Sequence, residues 1–139
     1  MLCKHRGAET IGAFIILIAS LIVTAIASKY LIEIYQGYKE KTNIQQIEIL
    51  RQSLESLFDK SLSTVSVVRG KIIVPENTYI VLEKNAIVIY YKSPLGKRYP
   101  PKTILLPYPV EGQLPTEPGE YEIFITFRDD KFSVRYAKL

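Results

Sequence analysis

The side chains able to do chemistry are few and badly placed for it. The chain has one Cys and one His, Cys3 and His5, and both lie within the first seven residues. Residues 8 to 139 contain neither type. Nucleophile–base pairs built on Cys or His, zinc sites and disulfides are therefore excluded from the body of the chain. The only adjacent acidic pair is Asp129-Asp130, between Phe127 and Phe132. Two acids at a short break between apolar strands read as turn residues, with a metal site as the weaker alternative. Glu117, Glu120 and Glu122 flank a Pro-Gly turn without ligand spacing. Lys97-Arg98-Tyr99 is a small basic patch with an aromatic. It reads as a solvated loop, or as a contact for a glycan or an anionic lipid. Gly96-Lys97-Arg98 lacks the upstream glycine of a phosphate-binding loop. No catalytic, cofactor or metal site is expected, and the chain is not read as an enzyme.

Charge points the same way. The formal net charge is +4 over 139 residues, and Lys4 and Arg6 account for two of those charges. Basic and acidic residues are interspersed through the rest, so no nucleic-acid partner is expected.

The element that organises everything else is Ile11 to Ser28, an 18-residue run without charge, Pro, Asn or Gln. A run of this length reads as a membrane-spanning helix. It is longer than a secretory h-region and no A-x-A-like site follows it. Lys4 and Arg6 directly precede it, and the positive-inside rule then puts the N-terminus in the cytoplasm and the remaining residues outside. Beyond the run, Lys29 can snorkel, and Tyr30, Tyr35 and Tyr38 sit where an aromatic belt is expected. Thr10 reads as a helix cap, Gly37 as a kink and Asn43 as a second weak point.

Residues 4 to 32, and above all Arg6-Gly7-Ala8 ahead of Ile11-Gly12 and Ile18-Ala19, resemble the N-termini of archaellins and archaeal type IV pilins. The resemblance implies a class III signal peptide cut between Gly7 and Ala8 by a prepilin-type peptidase. It implies an assembly helix with Glu9, Gly12, Phe14, Ala19, Leu21 and Thr24 among its contact residues, packing on copies of itself or related pilins. It also implies an assembly ATPase and a membrane platform protein as partners. Glu9 is the second mature position, where bacterial pilins have their acid at the fifth. Its alternatives are pairing with the Ala8 amine or a neighbour's, or a plain carboxylate at headgroup level. The resemblance implies a single-pass membrane protein before assembly and a surface filament after it. No N-x-S/T sequon occurs and the outer part is rich in Lys and Glu. Both features favour a minor or accessory subunit. The alternative is an uncleaved bitopic protein whose outer domain binds an envelope partner such as the S-layer.

The expected domains are a leader at 1–7, the membrane helix at 8–38, an amphipathic helix at 39–63 and a β-rich domain at 64–139. In the second helix Ile44, Ile47, Leu50 or Arg51, Leu54, Leu57 and Phe58 share one face. Strands are expected at 64–68 and 71–74 around Arg69-Gly70, at 79–82 and 86–91 as a hairpin, at 103–106, and at 120–127 and 131–137 as a second hairpin. Glu111 to Gly119 reads as a loop. So small a sheet needs a cover, and the amphipathic helix supplies it. The expected fold is α+β, a long N-terminal helix followed by a small antiparallel sheet, with a β-sandwich as the alternative. Ten tyrosines fit core packing, with adhesion as the sharper reading.

Overall fold

The computed structural model describes residues 2–139, with side chains from Gly7 onward. One helix, α1, runs over Leu2–Leu62. Seven strands follow: β1 Val68–Val74, β2 Thr78–Glu83, β3 Ala86–Tyr91, β4 Lys102–Leu105, β5 Val110–Gly112, β6 Gly119–Arg128 and β7 Lys131–Lys138. The fold is α+β. The chain divides into two compact units, Met1–Lys39 and Glu40–Leu139.

The helix is continuous through both expected weak points. Gly37 and Asn43 both lie inside α1, as does Thr10, which therefore occupies no cap position. A single Gly costs a helix only about 1 kcal/mol. No Pro occurs before residue 75 to break the hydrogen-bond ladder. Asn43 is buried within the second unit.

The second unit is built on the apolar face of residues 40–62. Ile47, Leu50, Leu54 and Phe58 are buried, and Ile44, Arg51 and Leu57 are half-buried. The 3.6-residue period puts these residues on one stripe. Against it lie two sheets, β1-β6-β7-β5 and β2-β3-β4. Their pairs are antiparallel except β5 with β7. One buried cluster joins the helix to both sheets through side chains such as Ile72, Ile87, Ile104, Ile123, Ile125 and Phe132. The sheet is thus split in two. Between β1 and β2 the chain turns a corner at Pro75–Asn77, where Asn77 takes a φ of 58°.

Both expected hairpins are present. Glu83 pairs with Ala86, leaving a two-residue loop at Lys84-Asn85. Arg128 pairs with Lys131, and Asp129 and Asp130 between them have φ of 54° and 58°. Two consecutive left-handed residues make the mirror-image turn that matches strand twist, and Asp tolerates that region. The acidic pair is thereby a turn. The backbone carbonyls of Lys84 and Asn85 accept from the amides of Val110 (2.9 Å) and Leu106 (2.8 Å), which ties the two sheets together at one end.

Two strands depart from expectation. Residues 64–67 are not strand, and β1 continues straight through Gly70. Gly70 lies within the strand and not at a turn. A Cβ there would sit 2.4 Å from Leu57 Cδ2 and 2.7 Å from Cδ1. Gly70→Ala is expected to cost less than about 1 kcal/mol, because the atoms a Cβ would meet are the ends of the half-buried Leu57 side chain, which can turn aside. The double variant Gly70→Ala/Leu57→Ala is expected to lose less than the sum of the two single changes. Urea unfolding of all four proteins checks this; strict additivity would contradict the close approach. The second departure is β5, which overlaps the start of the expected loop. It pairs parallel to β7 through Val110–Phe132, Glu111–Ser133 and Gly112–Val134. Gly112 has a φ of 115°, and a Cβ on it would lie 2.1 Å from the Val134 carbonyl oxygen. Only a residue without a side chain fits there.

Candidate functional site

The surface that sets this chain apart is the first unit. Every described side chain from residue 7 to 39 is exposed except the half-buried Gly12. That surface includes Ile11, Phe14, Ile15, Ile16, Leu17 and Ile18, and continues through Leu21, Ile22, Val23 and Ile26. An 18-residue window reaches a mean hydropathy of 2.6, and none of it is buried in the folded chain. The helix is therefore long and apolar enough to cross a membrane. Backbone N–H and C=O groups are satisfied within a helix, which is what a span in hydrocarbon requires. A side-chain bond in the run has the same character: the Thr24 hydroxyl donates to the Ser20 carbonyl at 2.8 Å. This hides a donor inside the span.

The expected site residues distribute around this helix. At 3.6 residues per turn Gly12 and Ala19 fall on one side, and Phe14 and Leu21 on nearly the opposite side. Thr24 and Glu9 fall between. One side thus offers small residues and open backbone, since nothing lies within 4 Å of a Cβ built on Gly12. The other offers large side chains, Phe14 at 61% and Leu21 at 63% exposure. Gly7 and Ala8 lie within α1 and are exposed. Lys29, Tyr30 and Tyr35 are exposed beyond the apolar run. The side chains of Cys3, Lys4, His5 and Arg6 lie outside the described residues.

The second unit holds polar features that the sequence does not announce. Glu40 is buried at 3% exposure. The Ser93 hydroxyl donates to its Oε1, and Lys97 Nζ lies 3.8 Å from Oε2. Fifty-three residues separate Glu40 from Ser93, and Glu40 reads in the sequence as one of the mixed charges Lys39-Glu40-Lys41. Further along α1, Arg51 donates from Nε (3.1 Å) and Nη2 (2.5 Å) to Glu48 Oε1, and from Nη1 to Glu55 Oε2 at 2.6 Å. Lys102 Nζ stands 3.7 Å from Glu48 Oε2. The hydrogen bond from Arg51 holds the Glu48 carboxyl below the usual carboxylate range, with the charges of Arg51 and Lys102 acting the same way.

That lowered pKa has a definite sign. Its contribution is complete above the unfolded value of about 4.3 and is lost as pH falls through the folded value. The difference in melting temperature between wild type and Glu48→Gln is therefore expected to be constant from pH 7 to about 5 and to shrink below about 4. The effect is small, because 37% of the Glu48 side chain is in solvent. Calorimetry across that range checks it; a difference that grows in acid would contradict the arrangement.

A mostly apolar cleft of about 220 Å³ lies in the second unit, lined by Ile44, Ile47, Ile89, Tyr91, Tyr99, Pro100 and Lys102. Its lining holds no acid–base pair and no nucleophile beyond tyrosine and lysine. Among the described residues, no three His, Cys, Asp or Glu side chains group as metal ligands would. The feature that demands explanation is therefore the uncovered apolar helix. No family model, curated protein or solved structure matches the chain, so this geometry stands without a relative to interpret it.

Proposed function

We propose that the chain is a structural subunit of an archaeal type IV pilus-like surface filament, minor or accessory in number. The leader keeps it in the membrane, N-terminus inside, until a prepilin-type peptidase cuts between Gly7 and Ala8. The freed helix then leaves the bilayer and packs with the same helix of other subunits. An assembly ATPase and a platform protein drive that transfer.

One observation carries the reading: the apolar surface of α1 from Ile11 to Tyr35 is wholly uncovered in the folded chain. An apolar surface of this extent needs an apolar environment. Lipid supplies it before assembly, and neighbouring helices supply it afterwards. The small side at Gly12 and Ala19 permits close backbone approach, which is what holds helices together when lipid and protein are equally apolar. The folded second unit, with its own core, stays in water throughout.

Cross-linking between copies tests the assembly step. In a Cys3→Ser background, Ala19→Cys is expected to form disulfide-linked oligomers in the surface fraction sheared from the native cells. Tyr79→Cys, on the second unit at 46% exposure, serves as the comparison. Chains that are monomeric at position 19 and absent from the sheared fraction would end the filament reading.

A further inference from the structure

The β3–β4 loop and the first residue of β4, residues 92–102, read KSPLGKRYPPK. This stretch holds Lys92, Lys97, Arg98 and Lys102 and no acid. All four cations are exposed. We propose that this loop is a docking surface for anionic lipid headgroups, and that the buried Glu40 exists to hold it at the membrane. The proposal rests on residues 8–38 spanning the bilayer, which the filament reading and the uncleaved alternative share.

The first support is that the loop is fixed and not a solvated tail. The Ser93 hydroxyl donates to Glu40 and accepts from the Leu95 amide at 3.2 Å. The Gly96 amide donates to the Ser93 carbonyl at 3.2 Å, in a turn where Gly96 takes a φ of 75°. The Lys92 amide donates to the Asn77 carbonyl at 2.9 Å. The Tyr99 ring packs on Tyr91 with centroids 5.7 Å apart. Burying a carboxylate is costly unless it is well partnered. Here that cost goes into positioning a turn whose outer face is Pro94, Leu95, Lys97 and Arg98, all exposed.

The second support is where Glu40 lies in the chain. Glu40 follows Tyr38 by two residues, and Tyr38 closes the aromatic series Tyr30, Tyr35, Tyr38 beyond the apolar run. Two residues of any conformation span at most about 7 Å. A loop bonded to Glu40 is therefore tethered within a few residues of Tyr38, however the two units are turned. The Debye length at physiological salt is about 8 Å, so cations brought within that distance of the headgroups are attracted to them with little screening.

The third support is charge. Glu40 faces Lys97, and Glu48 faces Lys102. Those two acids still leave the loop with a surplus of two cations, to which Lys41 on α1 adds. Lys92 and Arg98 make neither of these contacts, so they can be changed without touching the bonds that hold the loop. An apolar side chain, Leu95 at 39% exposure, sits among the cations and suits shallow insertion between headgroups.

Spin labelling of the full chain tests this. In a Cys3→Ser background, Leu95→Cys carries a nitroxide, and the protein is reconstituted in vesicles of phosphatidylcholine alone or mixed with phosphatidylglycerol. The label is expected to be shielded from a water-soluble nickel chelate in the mixed vesicles and open to it in the neutral ones. Raising the salt, or introducing Lys92→Gln with Arg98→Gln, is expected to remove the shielding, each charge being worth about five-fold in association. A label at Thr116→Cys should stay open throughout. A label at Ile22→Cys reports the span separately. If Ile22 is shielded and Leu95 is equally open in both vesicle types, the loop proposal is overturned and the span stands. If Ile22 itself is open to the chelate, the membrane reading fails and the loop proposal fails with it.

Discussion

Phe132→Ala is expected to lower the stability of the folded unit by about 3–5 kcal/mol, the range for truncating a fully buried Phe. Phe132, on β7, has no exposed surface and sits where that strand meets α1, β5 and β6. Its ring stands edge-on to Phe58 of α1 with centroids 5.1 Å apart, and lies 5.0 Å from Phe127 of β6. Tyr108, in the segment leading to β5, approaches at 6.3 Å. The Phe132 amide donates to the Pro109 carbonyl at 2.9 Å, and Phe132 pairs with Val110 in the parallel ladder. Removing the ring leaves a cavity under the helix and withdraws three aromatic contacts of about 0.5–1.5 kcal/mol each, part of the same total. Domains of this size have about 5–15 kcal/mol in all, so the loss brings the unit close to unfolding. Near-UV circular dichroism reads the tyrosines of the folded unit without the signal of the long helix. An unfolding free energy within about 1 kcal/mol of wild type would contradict the packing described. Phe58→Ala should cost a similar amount, and the double variant less than the sum, because the two rings share one contact.

Ile18→Arg combined with Leu21→Arg is expected to abolish membrane retention. Each Arg near the centre of a span costs about 2.5–3.5 kcal/mol on insertion scales. The two positions are three apart, so both charges fall on neighbouring sides of the helix and cannot be hidden separately. Ile18 and Leu21 are 42% and 63% exposed, and neither packs on the second unit's core cluster, so that unit should keep its fold. Wild-type protein is expected in the alkali-resistant membrane pellet, and the double variant in the supernatant with its near-UV spectrum intact. Ile49→Arg is the comparison. Its side chain is 61% exposed on the outer face of α1 within the folded unit, and the variant should remain in the pellet. A double variant that stays in the pellet would show that the apolar run is not what binds the membrane.

The sequence makes some of this plain and conceals the rest, for physical reasons. The apolar run is legible because eighteen uninterrupted residues have few other uses. The buried face of Ile47, Leu50, Leu54 and Phe58 is legible because the helix period repeats four times. The two hairpins show because each flanks a polar break of two or three residues with β-branched and aromatic runs. β5 is hidden because three residues are too few to show alternation, and its partner β7 lies in parallel twenty-two positions later. Gly70 misleads because glycine marks a turn and a close approach alike, and only the position of Leu57 separates the two. The division into two sheets turns on one corner at Asn77. The Glu40–Ser93 bond has no local sign at all: a Glu between two lysines reads as a surface residue until the loop that covers it is placed.

Filament assembly requires processing of the N-terminus ahead of a retained helix, and the intact mass of the native protein from its own membranes and surface fraction tests that most directly. The expected mass lacks Met1 to Gly7 and has Ala8 as the new terminus, while keeping the apolar run. A mass that retains the seven residues would contradict the filament model. It would leave a permanently anchored membrane protein with a binding domain outside. A mass beginning beyond Ser28 would contradict both, because the helix would then have been removed as a signal sequence.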